Sequence, residues 1–236
     1  MIKHGNRSVS SKSGSADVLE ALNIPLDLDA ARAVRQFKAS NFTFLFAPAY
    51  NPAVAHVQPV RKALGIPTIF NTLGPLLSPG RPSLQVMGIA NPAQGQLIAE
   101  VFRELGRERA LVIHGAGTDE IATHGTTQAW ELNDGEIVTY ELTPEDLGIK
   151  RHELTDLTGG DGAANARALR AVFAGRGEPA HCDAIAATAG AMFYLNGTKE
   201  TIAAGVTHAK ELIGSGTVEQ WLTLHENANY AVGEES

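Results

Sequence analysis

Through the second half of the chain, apolar residues fall into alternating strand and helix rhythms. Residues 84–89 form a short, largely apolar run of strand length, and residues 92–106 carry apolar side chains at helical spacing. Ala110-Leu111-Val112-Ile113 is a second strand, apolar enough to be buried on both faces, so the order predicts a βαβ unit with two parallel strands. Two further strands, 127–132 and 136–142, flank Asn133-Asp134-Gly135, a turn sequence that joins antiparallel neighbours. Gly159-Gly160-Asp161 reads as a hinge and a cap before a helix from about 163 to 173, and helices follow near 179–195, 199–213 and 217–224. In the 199–213 segment Ile202, Val206, Ala209 and Ile213 make one apolar stripe, with Gly214 as its C-terminal cap.

The first half is less regular. Val18, Leu19 and Leu22 predict a helix that Ser15 caps and Pro25 ends, and a second helix runs from about 28 to 40. Phe42-Thr43-Phe44-Leu45-Phe46 is a strand that stops at Ala47-Pro48, so the residues after Pro48 lie at a strand's carboxyl end, where open α/β sheets bind ligands. Residues 50–65 read as a helix whose stripe of Val57, Val60 and Leu64 runs beside Arg61 and Lys62. Taken alone, Arg61 is a solvated helix residue. Residues 66–82 contain Pro67, Gly74-Pro75, Pro79-Gly80 and Pro82, and this dense punctuation predicts an ordered loop. The fold class is therefore α/β, a mostly parallel central sheet with an antiparallel addition, flanked by helices. The sequence has no internal repeat, and the 234–236 tail is expected to be disordered.

Composition narrows the function classes. With 236 residues, 44% of them hydrophobic, the chain can bury a sizeable core. A formal net charge of −7 argues against general nucleic-acid or anionic-membrane binding, which calls for a basic face. Cys182 is the sole cysteine, which excludes an internal disulfide or a cysteine metal cluster and fits a reducing compartment. The longest apolar run, 184–195, falls short of the roughly 20 residues that span a bilayer. Met1 leads directly into Lys3 and His4, so no signal peptide and a cytoplasmic protein are expected.

Against this acidic background the first fifteen residues stand out. Lys3, Arg7 and Lys12 precede the first acid, Asp17, with His4 as a further cation and Ser8, Ser10, Ser11, Ser13 and Ser15 as hydroxyl donors. Gly5 and Gly14 let backbone N–H groups join them in holding phosphate oxygens. A frayed, solvated terminus is the plain alternative. After the predicted strand at 110–113 comes His114-Gly115-Ala116-Gly117-Thr118-Asp119-Glu120, whose adjacent carboxylates suit magnesium as well as they suit capping of the next turn. The glycines there lack the G-x-G-x-x-G spacing of a dinucleotide site.

The run Lys3-His4-Gly5-Asn6-Arg7-Ser8-Val9-Ser10-Ser11, followed by Gly14-Ser15-Ala16-Asp17, resembles the signature of the anthranilate phosphoribosyltransferases. Phe46-Ala47-Pro48, Pro59-Val60-Arg61, Phe70-Asn71-Thr72-Leu73-Gly74-Pro75-Leu76, Gly117-Thr118-Asp119-Glu120, and Gly159-Gly160-Asp161 with Asn165-Ala166 follow in that family's order, extending the resemblance to about Leu222. It implies one α/β catalytic domain over 1–236 and transfer of a 5-phosphoribosyl group from phosphoribosyl pyrophosphate to anthranilate, an early step of tryptophan synthesis. It further implies that Lys3, His4, Gly5, Asn6, Arg7, Ser8, Val9, Ser10, Ser11 and Ser15 line the phosphoribosyl pyrophosphate site, while His4, Asn6, Pro48 and Arg61 contact anthranilate. Asp119 and Glu120 would hold Mg2+, no protein nucleophile is expected, and the full-length family suggests a homodimer.

The same resemblance implies departures. The family's N-terminal helical segment and first Gly-Thr-Gly-Gly-Asp loop are expected to be missing ahead of Lys3, which predicts little activity for 1–236 alone. Asn51 stands where many members have histidine, and Thr188 where many have asparagine. The competing readings are a non-catalytic ligand- or partner-binding remnant and a pyrimidine nucleoside phosphorylase relative, the latter disfavoured by Arg61 and the Asn6 motif.

Overall fold

The computed structural model describes residues 1–7, 12–51, 63 and 70–230. Its contacts divide the chain into two compact units, one comprising Met1–Arg81, Gly159–Arg167 and Gln220–Ser236, the other Pro82–Thr158 and Ala168–Glu219.

In the first unit β1 (Ile2–Gly5) and β2 (Thr43–Phe46) pair in parallel, with His4 opposite Leu45 and Gly5 opposite Phe46, so both strands end at one level. Helix α1 (Ser15–Ala21) is capped by Gly14 and not by Ser15. The reason is Asp17, whose carboxylate accepts the Gly14 N–H at 2.7 Å and makes Ser15 the first helical residue. The helix also stops before Pro25, because Asn23 turns left-handed at φ 57°. Beyond it Leu22, Ile24, Leu26 and Leu28 are buried alternately, the period of extended chain. Asp29 then caps α2 (Ala30–Ser40) by accepting the Arg32 N–H at 2.8 Å.

Leu28, Ala33, Leu45 and Tyr230 form a small core, tied to the C-terminal segment by a bond from Trp221 Nε1 to the Ser40 carbonyl at 2.9 Å. Trp221 also stands edge-on to Phe42 at 5.9 Å. After β2 come α3 (Ala47–Tyr50) and, further on, α4 (Phe70–Leu76). The latter corrects the expectation of a loop over 66–82 for residues 70–76, while 66–69 lie outside the described residues. Pro75 lies in the last turn, where a missing N–H costs a single helical hydrogen bond, and the helix closes with Leu77 N–H on the Leu73 carbonyl at 3.0 Å.

The second unit holds a four-stranded sheet in the order β3 (Leu84–Gly88), β4 (Arg109–Gly115), β5 (Thr127–Asn133), β6 (Glu136–Leu142). β3 and β4 run parallel, linked by a 3-10 turn and α5 (Gly95–Glu104), as the βαβ pattern predicts. The β5–β6 hairpin adds to β4 antiparallel, and its turn residues Asp134 and Gly135 both take positive φ, at 50° and 82°, which matches the right-handed strand twist. Leu111, Ile113 and Ala129 of the sheet pack on α7 (Pro179–Leu195) and α8 (Ile202–Gly214) through Ala187, Ala191 and Val206. The left-handed residue behind α8 is Gly216, at φ 76°, rather than Gly214, which is still helical.

Glu131 is a buried carboxylate in this unit that is fully used. It accepts from Arg109 at 3.1 Å, Tyr194 at 2.9 Å and Tyr140 at 2.8 Å, so its charge is paired and hydrogen-bonded, as burial demands. Burial and the Glu131 charge together push the Tyr140 hydroxyl well above its ordinary pKa. α6 (Gly162–Phe173) and α9 (Thr217–His225) complete the described helices. Among the described residues no helix is long and apolar enough to cross a membrane. The predicted helix at 50–65 and the 234–236 tail lie outside the described residues, apart from Tyr50, Asn51 and Ala63.

Candidate functional site

Because β1 and β2 are parallel and in register, the chain leaves both at the same end. Asn6 and Arg7 follow β1, while Ala47 and Pro48 open α3 after β2. His4, Asn6, Arg7 and Pro48 are thereby collected at the carboxyl ends of two neighbouring strands. Lys3, Asn6, Arg7 and Pro48 are exposed and His4 is half-buried.

His4 is held on both ring nitrogens. Its Nδ1 lies 3.0 Å from the Gly74 carbonyl of α4, and its Nε2 lies 3.2 Å from the Asn51 side-chain nitrogen. Burial pushes its pKa below the ordinary imidazole value, and the Gly74 carbonyl works in the opposite direction. Asn6 Oδ1 accepts the Arg7 N–H at 2.8 Å, which fixes the turn out of β1.

Arg7 is oriented by two elements at once. Its guanidinium makes a two-point contact with Glu20 of α1, one bond being Nε to Oε2 at 3.2 Å and the other from the terminal nitrogen to Oε1. The same group sits over the Phe46 ring at 4.6 Å from the centroid. Ser15 stands close to the end of β1, since a Cβ built on Gly5 would meet its Oγ at 3.4 Å. Ser8, Val9, Ser10, Ser11 and Arg61 lie outside the described residues.

The 159–165 turn belongs to this unit too. Asp161 caps α6 by accepting the Ala164 N–H at 2.8 Å, in line with the expected cap. Asn165 pins the turn by accepting the Gly160 N–H at 2.8 Å and donating to its carbonyl at 3.2 Å. Gly162 lies directly on α1, where a Cβ would be 2.8 Å from the Asp17 carbonyl. From the residues alone this turn reads as structural, and nothing local marks Gly74 as a partner of His4 or Glu20 as a partner of Arg7, whereas Asn51 already stands out as a departure from the family's histidine. Gly74 carries a signal in its place inside the ordered 70–76 run, whereas Glu20 lies in none of the ordered motifs.

In the second unit the carboxylates are placed by glycine. β4 ends at Gly115, Ala116 and Gly117 take positive φ of 46° and 92°, and Thr118 doubles back, its N–H donating to the Gly115 carbonyl at 2.9 Å. The returning chain then crosses the ends of β3 and β4 at very short range. A Cβ on Gly88 would sit 1.6 Å from the Asp119 carbonyl oxygen, and one on Gly115 would sit 2.2 Å from that of Glu120. Asp119 and Glu120 are both exposed there. Among the described residues no group of three His, Cys, Asp or Glu could hold a metal ion. Two adjacent oxygen donors nevertheless suit Mg2+, which is held by one or two carboxylates while it keeps waters and substrate phosphates.

The chain matches the model of the glycosyl transferase family, a/b domain, over residues 1–219. It is 79% identical to the anthranilate phosphoribosyltransferase of Corynebacterium aurimucosum across 98% of this chain and 67% of that protein. Among solved structures, anthranilate phosphoribosyltransferase from Thermus thermophilus superposes with a TM-score of 0.89 at 39% identity, covering 95% of this chain and 67% of the other. The Saccharomyces cerevisiae enzyme in complex with phosphoribosyl pyrophosphate and Mg gives a TM-score of 0.83 at 26% identity, covering 96% of this chain and 63% of the other. With a family match over nearly its whole length and so high an identity to a named relative, the chain belongs to the anthranilate phosphoribosyltransferases.

Proposed function

We propose that this chain transfers the 5-phosphoribosyl group of phosphoribosyl pyrophosphate to the amine of anthranilate, with its residues divided among three tasks. Lys3, His4, Gly5, Asn6, Arg7, Ser8, Val9, Ser10, Ser11 and Ser15 hold the phosphoribosyl pyrophosphate. His4, Asn6, Pro48 and Arg61 receive anthranilate, and Asp119 and Glu120 hold Mg2+. The observation that carries this reading is the shared carboxyl end of β1 and β2, which gathers His4, Asn6, Arg7 and Pro48 from segments more than forty residues apart. Residues 1–236 then act as one cytoplasmic catalytic domain, while a homodimer is what the full-length family suggests.

The chemistry suits these residue types. The amine lone pair forms a C–N bond at the anomeric carbon as the C–O bond to pyrophosphate breaks, pyrophosphate leaves with the electron pair, and the nitrogen loses a proton. Positive charge builds on the sugar and negative charge on the leaving group, so the protein's contribution is placement and charge stabilisation rather than a nucleophile. Lys3 and Arg7 supply fixed positive charge for phosphate oxygens, and Arg61 offers a planar fork for the anthranilate carboxylate. Mg2+, when bound, neutralises charge on the pyrophosphate. Asn51 in the usual histidine position keeps a hydrogen-bonding side chain there.

The test is the double replacement Asp119→Asn with Glu120→Gln, which keeps shape and removes charge. Turnover to phosphoribosyl-anthranilate, followed by its fluorescence, is expected to fall and to need more magnesium. A magnesium titration superposable on the parent's would remove this pair from the site.

A further inference from the structure

His4 is contacted by one group that can only accept and by one that can donate. The Gly74 carbonyl at 3.0 Å has no hydrogen to give, so Nδ1 carries the ring proton. In a neutral ring Nε2 is then a bare lone pair, and the group beside it at 3.2 Å is the Asn51 amide nitrogen, a donor. One contact is a backbone carbonyl and the other a side-chain amide carried by the residue that closes α3. Gly74 belongs to the last turn of α4, where its carbonyl shares the Leu77 N–H with that of Leu73 at 3.3 Å and keeps a lone pair for His4, and the Asn51 backbone N–H closes α3 on the Ala47 carbonyl at 2.9 Å. Asn51 and Gly74 lie 47 and 70 positions from His4 in sequence, yet converge on one half-buried imidazole.

We propose that Asn51 is a positioning residue which, opposite the Gly74 carbonyl, holds His4 as the neutral Nδ1–H tautomer with Nε2 as its only basic nitrogen. The proposal rests on the proposed transfer reaction for its bearing on catalysis, since His4 is placed there against both substrates. A neutral His4 adds no positive charge beside Lys3 and Arg7, and it offers Nε2 as a hydrogen-bond acceptor once the Asn51 amide turns away. An arriving aromatic amine carries N–H groups of the kind that contact requires. The lowered proton affinity that burial gives His4 agrees with this state.

Asn51→Asp tests the assignment because it keeps the size of the side chain and replaces the donor with an anionic acceptor. Ring 15N spectra of histidine-labelled protein, with the His4 signals identified by their loss in His4→Gln, read the protonation of each nitrogen directly. The parent is expected to show a protonated Nδ1 and an unprotonated Nε2 at pH 7.5. In the Asp variant the doubly protonated ring is expected to persist to higher pH, with a titration midpoint raised by about one to two pH units over the parent's. A parent His4 that exchanges between tautomers or carries its proton on Nε2, or a midpoint unchanged in Asn51→Asp, overturns the proposal. Kinetics of the same variant separate the two layers. A raised anthranilate KM with an unchanged phosphoribosyl pyrophosphate KM supports the placement of His4 at the acceptor, whereas altered ring signals with unaltered kinetics overturn that placement and leave the tautomer assignment standing.

Discussion

The carboxylates at 119 and 120 depend on two residues that carry no chemistry, and Gly88→Ala isolates that dependence. In the parent, the Asp119 carbonyl oxygen lies 1.6 Å from where the alanine Cβ would stand, against 3.4 Å for ordinary contact. Something must therefore retreat by about 1.8 Å, beyond what van der Waals contact can absorb. β3 is bonded along its length to β4, and Ile89 N–H adds a further bond to the Ile113 carbonyl at 2.9 Å, so the exposed returning segment is the part that moves. Overpacking of this kind costs about 1–3 kcal/mol, out of the roughly 5–15 kcal/mol that holds a domain together, so the variant stays folded at 25 °C. Its melting temperature should drop by about 2–4 °C per kcal/mol. Activity should fall much further, because an ångström-scale misplacement of a group that acts by position costs on the order of 10²-fold. The assay pairs a thermal melt with phosphoribosyl-anthranilate formation across a magnesium titration. A Gly88→Ala protein with the parental rate and magnesium midpoint would refute the reasoning, as it would show that the position of 119–120 does not matter.

Other consequences are independent of that pair. α7 and α8 approach at Gly190 and Gly205, where added Cβ atoms would be 2.5 Å from the Val206 nitrogen and 2.3 Å from the Gly190 carbonyl, so each Gly→Ala change should cost about 1–3 kcal/mol in a thermal melt, with no change in substrate KM values. His4 has a folded-state pKa below its unfolded value, so its contribution to stability is present above about pH 6.5 and is lost as pH falls through the folded pKa. The parent should therefore lose more stability than His4→Gln between pH 7.5 and 5.5, and parallel curves would contradict the burial argument.

The sequence made the second unit readable because its patterns are local. Residues 179–195 form the predicted helix within the predicted bounds, and the Asp134-Gly135 turn lies where the strand alternation breaks. Near the candidate site, local signals misled. Gly74-Pro75 looks like a helix breaker, but at the end of α4 its missing N–H costs little and its carbonyl serves His4. Ser15 looks like a cap, but the Asp17 carboxylate secures Gly14 instead. The motif residues of the candidate site were legible, whereas the contacts of Asn51 and Gly74 with His4 were not, because no periodicity encodes a contact between segments 47 or 70 residues apart.

The central claim is that the N-terminal segment holds the phosphorylated donor while Arg61 holds the acceptor. Steady-state kinetics on Lys3→Gln and Arg61→Ala, with each substrate varied in turn, test it most directly. Loss of a charge-assisted contact is worth about 1.5–3 kcal/mol, or roughly one to two decades in the specificity constant. Lys3→Gln should lose that factor for phosphoribosyl pyrophosphate and Arg61→Ala should lose it for anthranilate, each with little effect on the other substrate. The same loss for both substrates in both variants, or no loss in either, would contradict the account.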